Sequence, residues 1–353
     1  MTAVARRHPT LTIGRAIGAE HPPFVIAELS ANHLGSLERA LAIVDAAADA
    51  GCDAVKLQTF TPDAMTLDAP SADFHIPDGP WGGRTLWDLY REAETPWAWH
   101  APLFARAAAR GLVMFSTPFD ERAVVALDRL GAPAFKIASF ELVDLELIAC
   151  AARTGKPLIM STGMASELEV ADAVETARRH GAGGVALLHC VSGYPTPIED
   201  TNLRRLDAIA RHDTVIGISD HSPGAVVPIA AVARGASIIE KHLTLRRADG
   251  GPDAGFSLEP PEMAEVVRGA RLAYGALGDG RPERPCSEDG SRRFRRSLYA
   301  VADVAPGEPL TRANVRSIRP GLGLPPRELP DVLGKQARVA IARGTPLSWE
   351  LIA

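Results

Sequence analysis

No stretch of 18 consecutive apolar residues occurs in these 353 residues, so the sequence offers no helix that would cross a bilayer. The start, MTAVARRHPT, lacks the apolar core of a signal peptide. Cysteine is scarce: Cys52, Cys150, Cys190 and Cys286 are widely spaced and form no CxxC pair. That argues against a disulfide framework or a thiolate zinc site and fits a reduced cytosolic chain. A basic excess is missing too, since the formal net charge is −5, which removes the global field expected of a nucleic-acid binder. The segment SRRFRRS (291–297) is basic only locally. Aromatics are 5% of the chain, and the stretch 60–96 holds a disproportionate share of them. A soluble cytoplasmic protein is the expectation.

What is present is one phrase repeated with variations, a β-rich apolar run that ends in polar residues. It reads FVIAELSAN (24–32), AVKLQT (54–59), LVMFSTP (112–118) and AFKIAS (134–139). It continues as PLIMSTG (157–163), VALLHC (185–190), VIGISDH (215–221) and SIIEKH (237–242). Strands buried on both faces read as such continuous runs. Helical stretches follow them, the first starting at Ser36 and others at about 97–110, 120–130, 144–154, 166–180, 202–212, 224–235 and 260–277. Eight β-then-α units predict an α/β fold, the (β/α)8 TIM barrel, with its chemistry at the strand ends where the polar residues gather.

The piece LTIGRAIG before the first run predicts a hairpin plugging the barrel floor. The residues between the second run and the helix at 97 interrupt the rhythm, and a long loop at a catalytic mouth is usually functional. Beyond 278 the periodicity stops: 279–294 reads as a linker, and 295–353 as a small domain of short strands and turns.

Alternation sends residues two apart in a strand to one face, so Lys56 and Gln58 point together, as do Glu240 and His242. Lysine is seldom buried without an anionic partner. Lys56 and Lys136 therefore call for an anion, either an internal carboxylate such as Glu28 or Glu240, or a bound phosphate and carboxylate aided by Ser139, Ser161 and Ser219. His221 and His242 stand on neighbouring strands and can converge on one divalent ion; imidazoles with carboxylates and water suit Mn²⁺. His189, beside Cys190, reads as ordinary packing. STGM (161–164) is either a tight turn into a helix or a source of backbone N–H groups for an oxyanion.

IAELSANH, VKLQTF, FSTPFD, FKIAS, STGM, LLHC with YPTP, GISDH, EKH and GPD occur in this order and closely resemble the sialic acid synthase family. The resemblance covers nearly the whole chain, because RSIRPGLGLPP and its surroundings are similar to that family's C-terminal antifreeze-like (SAF) domain. Within the family, the segments 74–97 and 247–260 look most like the pseudaminic acid branch. The resemblance implies condensation of phosphoenolpyruvate with an amino-sugar aldehyde, 2,4-diacetamido-2,4,6-trideoxy-altrose for that branch, or otherwise the N-acetylneuraminate or legionaminate precursor. It implies a divalent metal, Mn²⁺ or Mg²⁺, on His221 and His242. Phosphoenolpyruvate contacts are implied for Lys56, Thr117, Lys136, Ser139, Ser161 and Ser219, and sugar contacts for Gln58, Tyr194 and Asp253. Glu28 matches the acidic residue near the reacting carbons. A homodimer is implied in which Arg319 reaches the partner's site, where composition alone reads a solvated arginine. Ser192 and Leu34 depart from the family's usual Asn and polar residue near the sugar-facing loops. Two rival readings stand beside this one: a Schiff-base aldolase with Lys136 as nucleophile, and a non-enzymatic carbohydrate- or ice-binding protein.

Overall fold

The computed structural model describes residues 9–353, and the chain parts into two compact units after Gly278. In the first unit an antiparallel hairpin, β1 (Thr10–Ile13) and β2 (Arg15–Gly18), precedes eight parallel strands. These are β3 (Phe24–Glu28), β4 (Ala54–Thr59), β5 (Val113–Pro118), β6 (Phe135–Ile137), β7 (Leu158–Ser161), β8 (Val185–Cys190), β9 (Val215–Ser219) and β10 (Ile238–His242). Each pairs with its sequence neighbour, and β10 closes on β3 to complete the barrel.

The barrel has two apolar layers. Inside its lower end, Leu11, Ile13 and Ile17 of the hairpin pack with Phe24, Phe115, Ile159 and Ile238, so the hairpin plugs the floor as expected. Gly217 serves this tight interior, because a β-carbon there would lie 2.4 Å from the Ile238 carbonyl oxygen. The second layer lies between the strands' outer faces and the helix ring. Helices of the ring begin where a short polar side chain takes up an orphan backbone N–H. Ser36 caps α1 (Leu37–Asp49), Asp120 caps the helix Glu121–Arg129, and Ser166 forms a capping box with Glu169 for Glu167–Arg179.

Three expectations need adjusting. The first run is a strand only to Glu28; Ser30 takes φ +46° and a 3-10 turn, Ser30–His33, follows. The helix expected at 202–212 shortens to Arg205–Ile209 plus a 3-10 turn, ended by Asp213 in the left-handed region. The connection 60–96 is not one loop: it folds a short helix, Pro62–Met65, and a longer one, Leu86–Ala93.

In the second unit, β11 (Ser297–Ala300) and β12 (Val315–Ile318) pair antiparallel around a core that includes Leu298, Leu310, Val315, Ile341 and Leu347. Cys286–Phe294 forms an exposed 3-10 helix. Among the described residues, no helix is long and apolar enough to cross a membrane.

Candidate active site

Barrel closure places Glu28 of β3 in register with Lys56 of β4 on one side and His242 of β10 on the other. The upper interior is therefore polar, while the floor below it is apolar. Lys56 forms an ion pair with Glu28 and donates to Thr117 Oγ1 at 3.0 Å. Across the barrel, Lys136 donates to Ser161 Oγ at 2.5 Å and to the Ile137 carbonyl at 3.1 Å. Its Nζ lies 3.9 Å from Glu240, which accepts a bond from Ser219 Oγ at 2.9 Å. These side chains are all buried.

Electrostatics follow from that burial. It pushes the Glu28 carboxyl up to about 7 against the pull of Lys56, while the neighbouring Glu240 charge pushes it further. Burial also lowers Lys136, only partly offset by Glu240. For Glu240 burial acts upward, yet Lys136 and Lys56 together hold it below the usual carboxylate value. Both lysines thus have internal carboxylate partners, and Glu240 keeps one oxygen, Oε2, with no hydrogen-bond partner among the described residues.

Serines complete this polar upper interior. Ser139 Oγ accepts the Gly163 N–H at 3.1 Å, so the glycine of the STGM turn is engaged internally and does not leave that N–H free for an oxyanion. Ser192 Oγ is buried without a partner among the described residues.

His221 and His242 face each other with ring centroids 5.3 Å apart. His221 Nδ1 lies 3.1 Å from the Val191 carbonyl, whereas His242 Nδ1 is buried without a hydrogen-bond partner among the described residues. Burial, reinforced by His221, holds His242 well below the usual histidine value and hence neutral, the form that ligates. The described residues contain no group of three His, Cys, Asp or Glu side chains arranged around one point. Two imidazoles with an open nitrogen suit a divalent ion whose other ligands are water or substrate oxygen.

A third region lies beside the imidazoles. Gln58 donates to Ser30 Oγ at 2.9 Å, and Ser30 in turn donates to Asp253, which also receives the Ala31 N–H at 3.3 Å. The Tyr194 ring is 4.4 Å from His221, and Phe256 is 4.9 Å from His242. The structure therefore brings together Glu28, Lys56, Gln58, Thr117, Lys136, Ser139, Ser161, Ser192, Tyr194, Ser219, His221, His242 and Asp253 at one end of the barrel. Arg319 is exposed in the second unit, just beyond β12. His189 contacts the Thr201 carbonyl at 2.7 Å, consistent with its reading as a packed residue.

Glu240 is the second carboxylate between the lysines, the internal partner that sequence offered beside Glu28. Other participants were not singled out from sequence. Lys241, on the opposite face of β10, is 1% exposed and bonds Asp220 Oδ2 at 2.9 Å; Asp220 also receives the Ser222 N–H at 3.0 Å. That triad holds the turn carrying His221. Trp81 and Phe256 come from long loops whose packing no periodicity reveals.

Fold and site define a (β/α)8-barrel enzyme whose interior opposes two buried lysines to two carboxylates beside a pair of imidazoles. The family model described as "NeuB family" matches residues 43–282, and a SAF domain model matches 295–353. The chain belongs to the NeuB family. It is 42% identical to a pseudaminic acid synthase of Helicobacter pylori over 93% of this chain and 97% of that protein. Identity to a pseudaminic acid synthase of Campylobacter jejuni is 43%, over 92% of this chain and 95% of the other. Among solved structures, an N-acetylneuraminic acid synthetase from Leptospira borgpetersenii, in complex with citrate, is 34% identical with a TM-score of 0.73. The match covers 81% of this chain and 96% of that one.

Proposed function

We propose that this enzyme condenses phosphoenolpyruvate with 2,4-diacetamido-2,4,6-trideoxy-β-L-altrose and water, giving pseudaminic acid and phosphate. The observation that carries the reading is the two-ended site: buried Lys56 and Lys136 with hydroxyl donors at one end, and imidazoles flanked by aromatic rings at the other. Similarity to two pseudaminic acid synthases over more than nine-tenths of the chain supports the choice of sugar.

Lys56 and Lys136 receive the phosphate and carboxylate, with Thr117, Ser139, Ser161 and Ser219 as further donors. Fixed charges in a water-poor interior stabilise developing charge strongly, because they need no reorganisation during the reaction. Carbon 3 of phosphoenolpyruvate forms a bond to the sugar aldehyde carbon, whose oxygen gains a proton. Water adds to carbon 2, and the C–O bond to phosphate then breaks, leaving a ketone. Glu28, held by the Ser30 N–H at 3.0 Å and by Lys56, orients that water and takes its proton, a task suited to a carboxyl near 7. Gln58, Ser192, Tyr194 and Asp253 face the sugar. His221 and His242 would hold a divalent ion, Mn²⁺ or Mg²⁺, which when bound polarises the aldehyde as a Lewis acid.

The test is one assay. Phosphoenolpyruvate carrying ¹⁸O at its bridging oxygen is expected to release labelled phosphate only when the diacetamido-trideoxy sugar is present. A chelator stops the release, and added Mn²⁺ or Mg²⁺ restores it. N-acetylmannosamine and the legionaminic precursor are expected to react about tenfold more slowly or less, the scale on which a pocket discriminates substituents. Unlabelled phosphate overturns C–O cleavage, and activity that survives complete metal removal overturns the imidazole role.

We further propose a homodimer in which Arg319 of one copy serves the partner's barrel. Arg319→Ala and Lys136→Met are each expected to be impaired, and mixing them should restore turnover in hybrid dimers that assemble one intact site. A mixture no more active than its two components sinks the exchange between subunits.

A further inference from the structure

Three segments from different strand ends meet above the imidazoles. Trp81, in the 60–96 connection, donates its indole N–H to the Pro252 carbonyl at 2.8 Å. Its ring lies 5.5 Å from Tyr194 and 6.4 Å from Phe256. Gly251, next to that carbonyl, takes φ +107° and packs so closely on Leu34 that no β-carbon fits between them. The connection after β4, the turn after β3 and the loop after β10 are therefore tied at one point. The rings of Trp81, Tyr194 and Phe256 continue directly into His221 and His242.

Polarity within the site is thus divided. The lysine end is charged and hydrogen-bonding throughout, whereas beyond the imidazoles the ring faces of Trp81, Tyr194 and Phe256 stand on one side and the Gln58–Ser30–Asp253 hydrogen bonds supply the polar side. A ring held by an N–H tie is preorganised, so little side-chain freedom remains to be lost when a ligand packs on it. We infer that Trp81 is a specificity-determining residue. With Tyr194 and Phe256 it forms an apolar wall that seats the acetamido methyl and 6-deoxy substituents of the sugar. A hexose bearing hydroxyls at those positions would bury them against ring faces without hydrogen-bond partners. This rests on the proposed condensation, and it names the part of the chain that selects the aldehyde.

The experiment measures initial rates of phosphate release for the full chain and for Trp81→Ala, varying each substrate in turn. Trp81→Ala is expected to raise KM for the diacetamido-trideoxy sugar about tenfold or more while KM for phosphoenolpyruvate stays within about twofold. Its preference for that sugar over N-acetylmannosamine should shrink by the same factor. If Trp81→Ala fails to fold, Trp81→Phe carries the test. It keeps a ring, loses the tie to Pro252, and should raise the sugar KM several-fold with phosphoenolpyruvate unaffected. An unchanged sugar KM and preference, or equal rises for both substrates, overturns the inference. Failure of the underlying reading looks different. A wild-type chain that releases no phosphate with any of the sugars, or that prefers N-acetylmannosamine, removes the proposed reaction or its substrate before any variant is compared.

Discussion

Lys136→Met is expected to lower kcat/KM for phosphoenolpyruvate by about 10²–10³-fold, the cost of removing one preorganised charge from a transition-state site. The side chain is 2% exposed and lies in a chain of contacts, Ser161 at 2.5 Å and Glu240 at 3.9 Å, so no water replaces it without rearrangement. Methionine fills most of the volume, which separates lost charge from lost packing. Lys136→Arg is not expected to rescue the loss, since a planar guanidinium does not fit a site built around a compact ammonium. The same residue separates this reading from the aldolase rival by experiment. An imine mechanism requires borohydride to inactivate the wild-type enzyme when substrate is present. The condensation proposed here leaves it active, and trapping of a reduced adduct on Lys136 would refute the anion-binding role.

Asp220→Ala carries the largest expected effect on stability. It removes the carboxylate partner of Lys241, a side chain 1% exposed, and leaves an ammonium group buried beside helix and strand. Breaking a buried pair from one side costs about 3–5 kcal/mol, because the remaining charge loses its compensation. For a chain of this size that corresponds to a fall of roughly 4–7 °C in Tm. Turnover should also fall, since Asp220 organises the turn between Ser219 and His221 through the Ser222 N–H and hydroxyl. The double variant Asp220→Ala with Lys241→Met is expected to recover most of the lost Tm, as replacement of both ions by apolar groups is close to neutral. Recovery of Tm without recovery of turnover would assign the pair to positioning. A Tm shift below about 3 °C for Asp220→Ala alone would show that Lys241 finds water or another partner.

Much of the site was legible in one dimension because barrel strands convert sequence order into angular position. The eight apolar runs located the strands, and their terminal residues located one end of one cavity. Alternation alone put Lys56 with Gln58, and Glu240 with His242, on shared faces. Loops obey no such period. Ser30 bends the chain two residues after Glu28 at φ +46°, so a run read as continuous strand became the turn that clips the Glu28 carboxyl. The 60–96 connection gave no sign that Trp81 would anchor to Pro252, because that bond joins residues 171 positions apart.

The sequence by itself determined the barrel, the plugged floor and the identity of the charged groups at the strand ends. Local pattern is enough for these, since strand period and apolar continuity are properties of neighbouring residues. Only the tertiary structure decided which charges share a partner: Glu28 with Lys56, Glu240 between Ser219 and Lys136, and Lys241 turned away from both toward Asp220. It also decided that the STGM glycine serves Ser139 and that an aromatic wall stands beside the imidazoles. Pairing energies depend on distance and burial across the closed barrel, and both are set by the strand register and by loops converging from far apart in the chain.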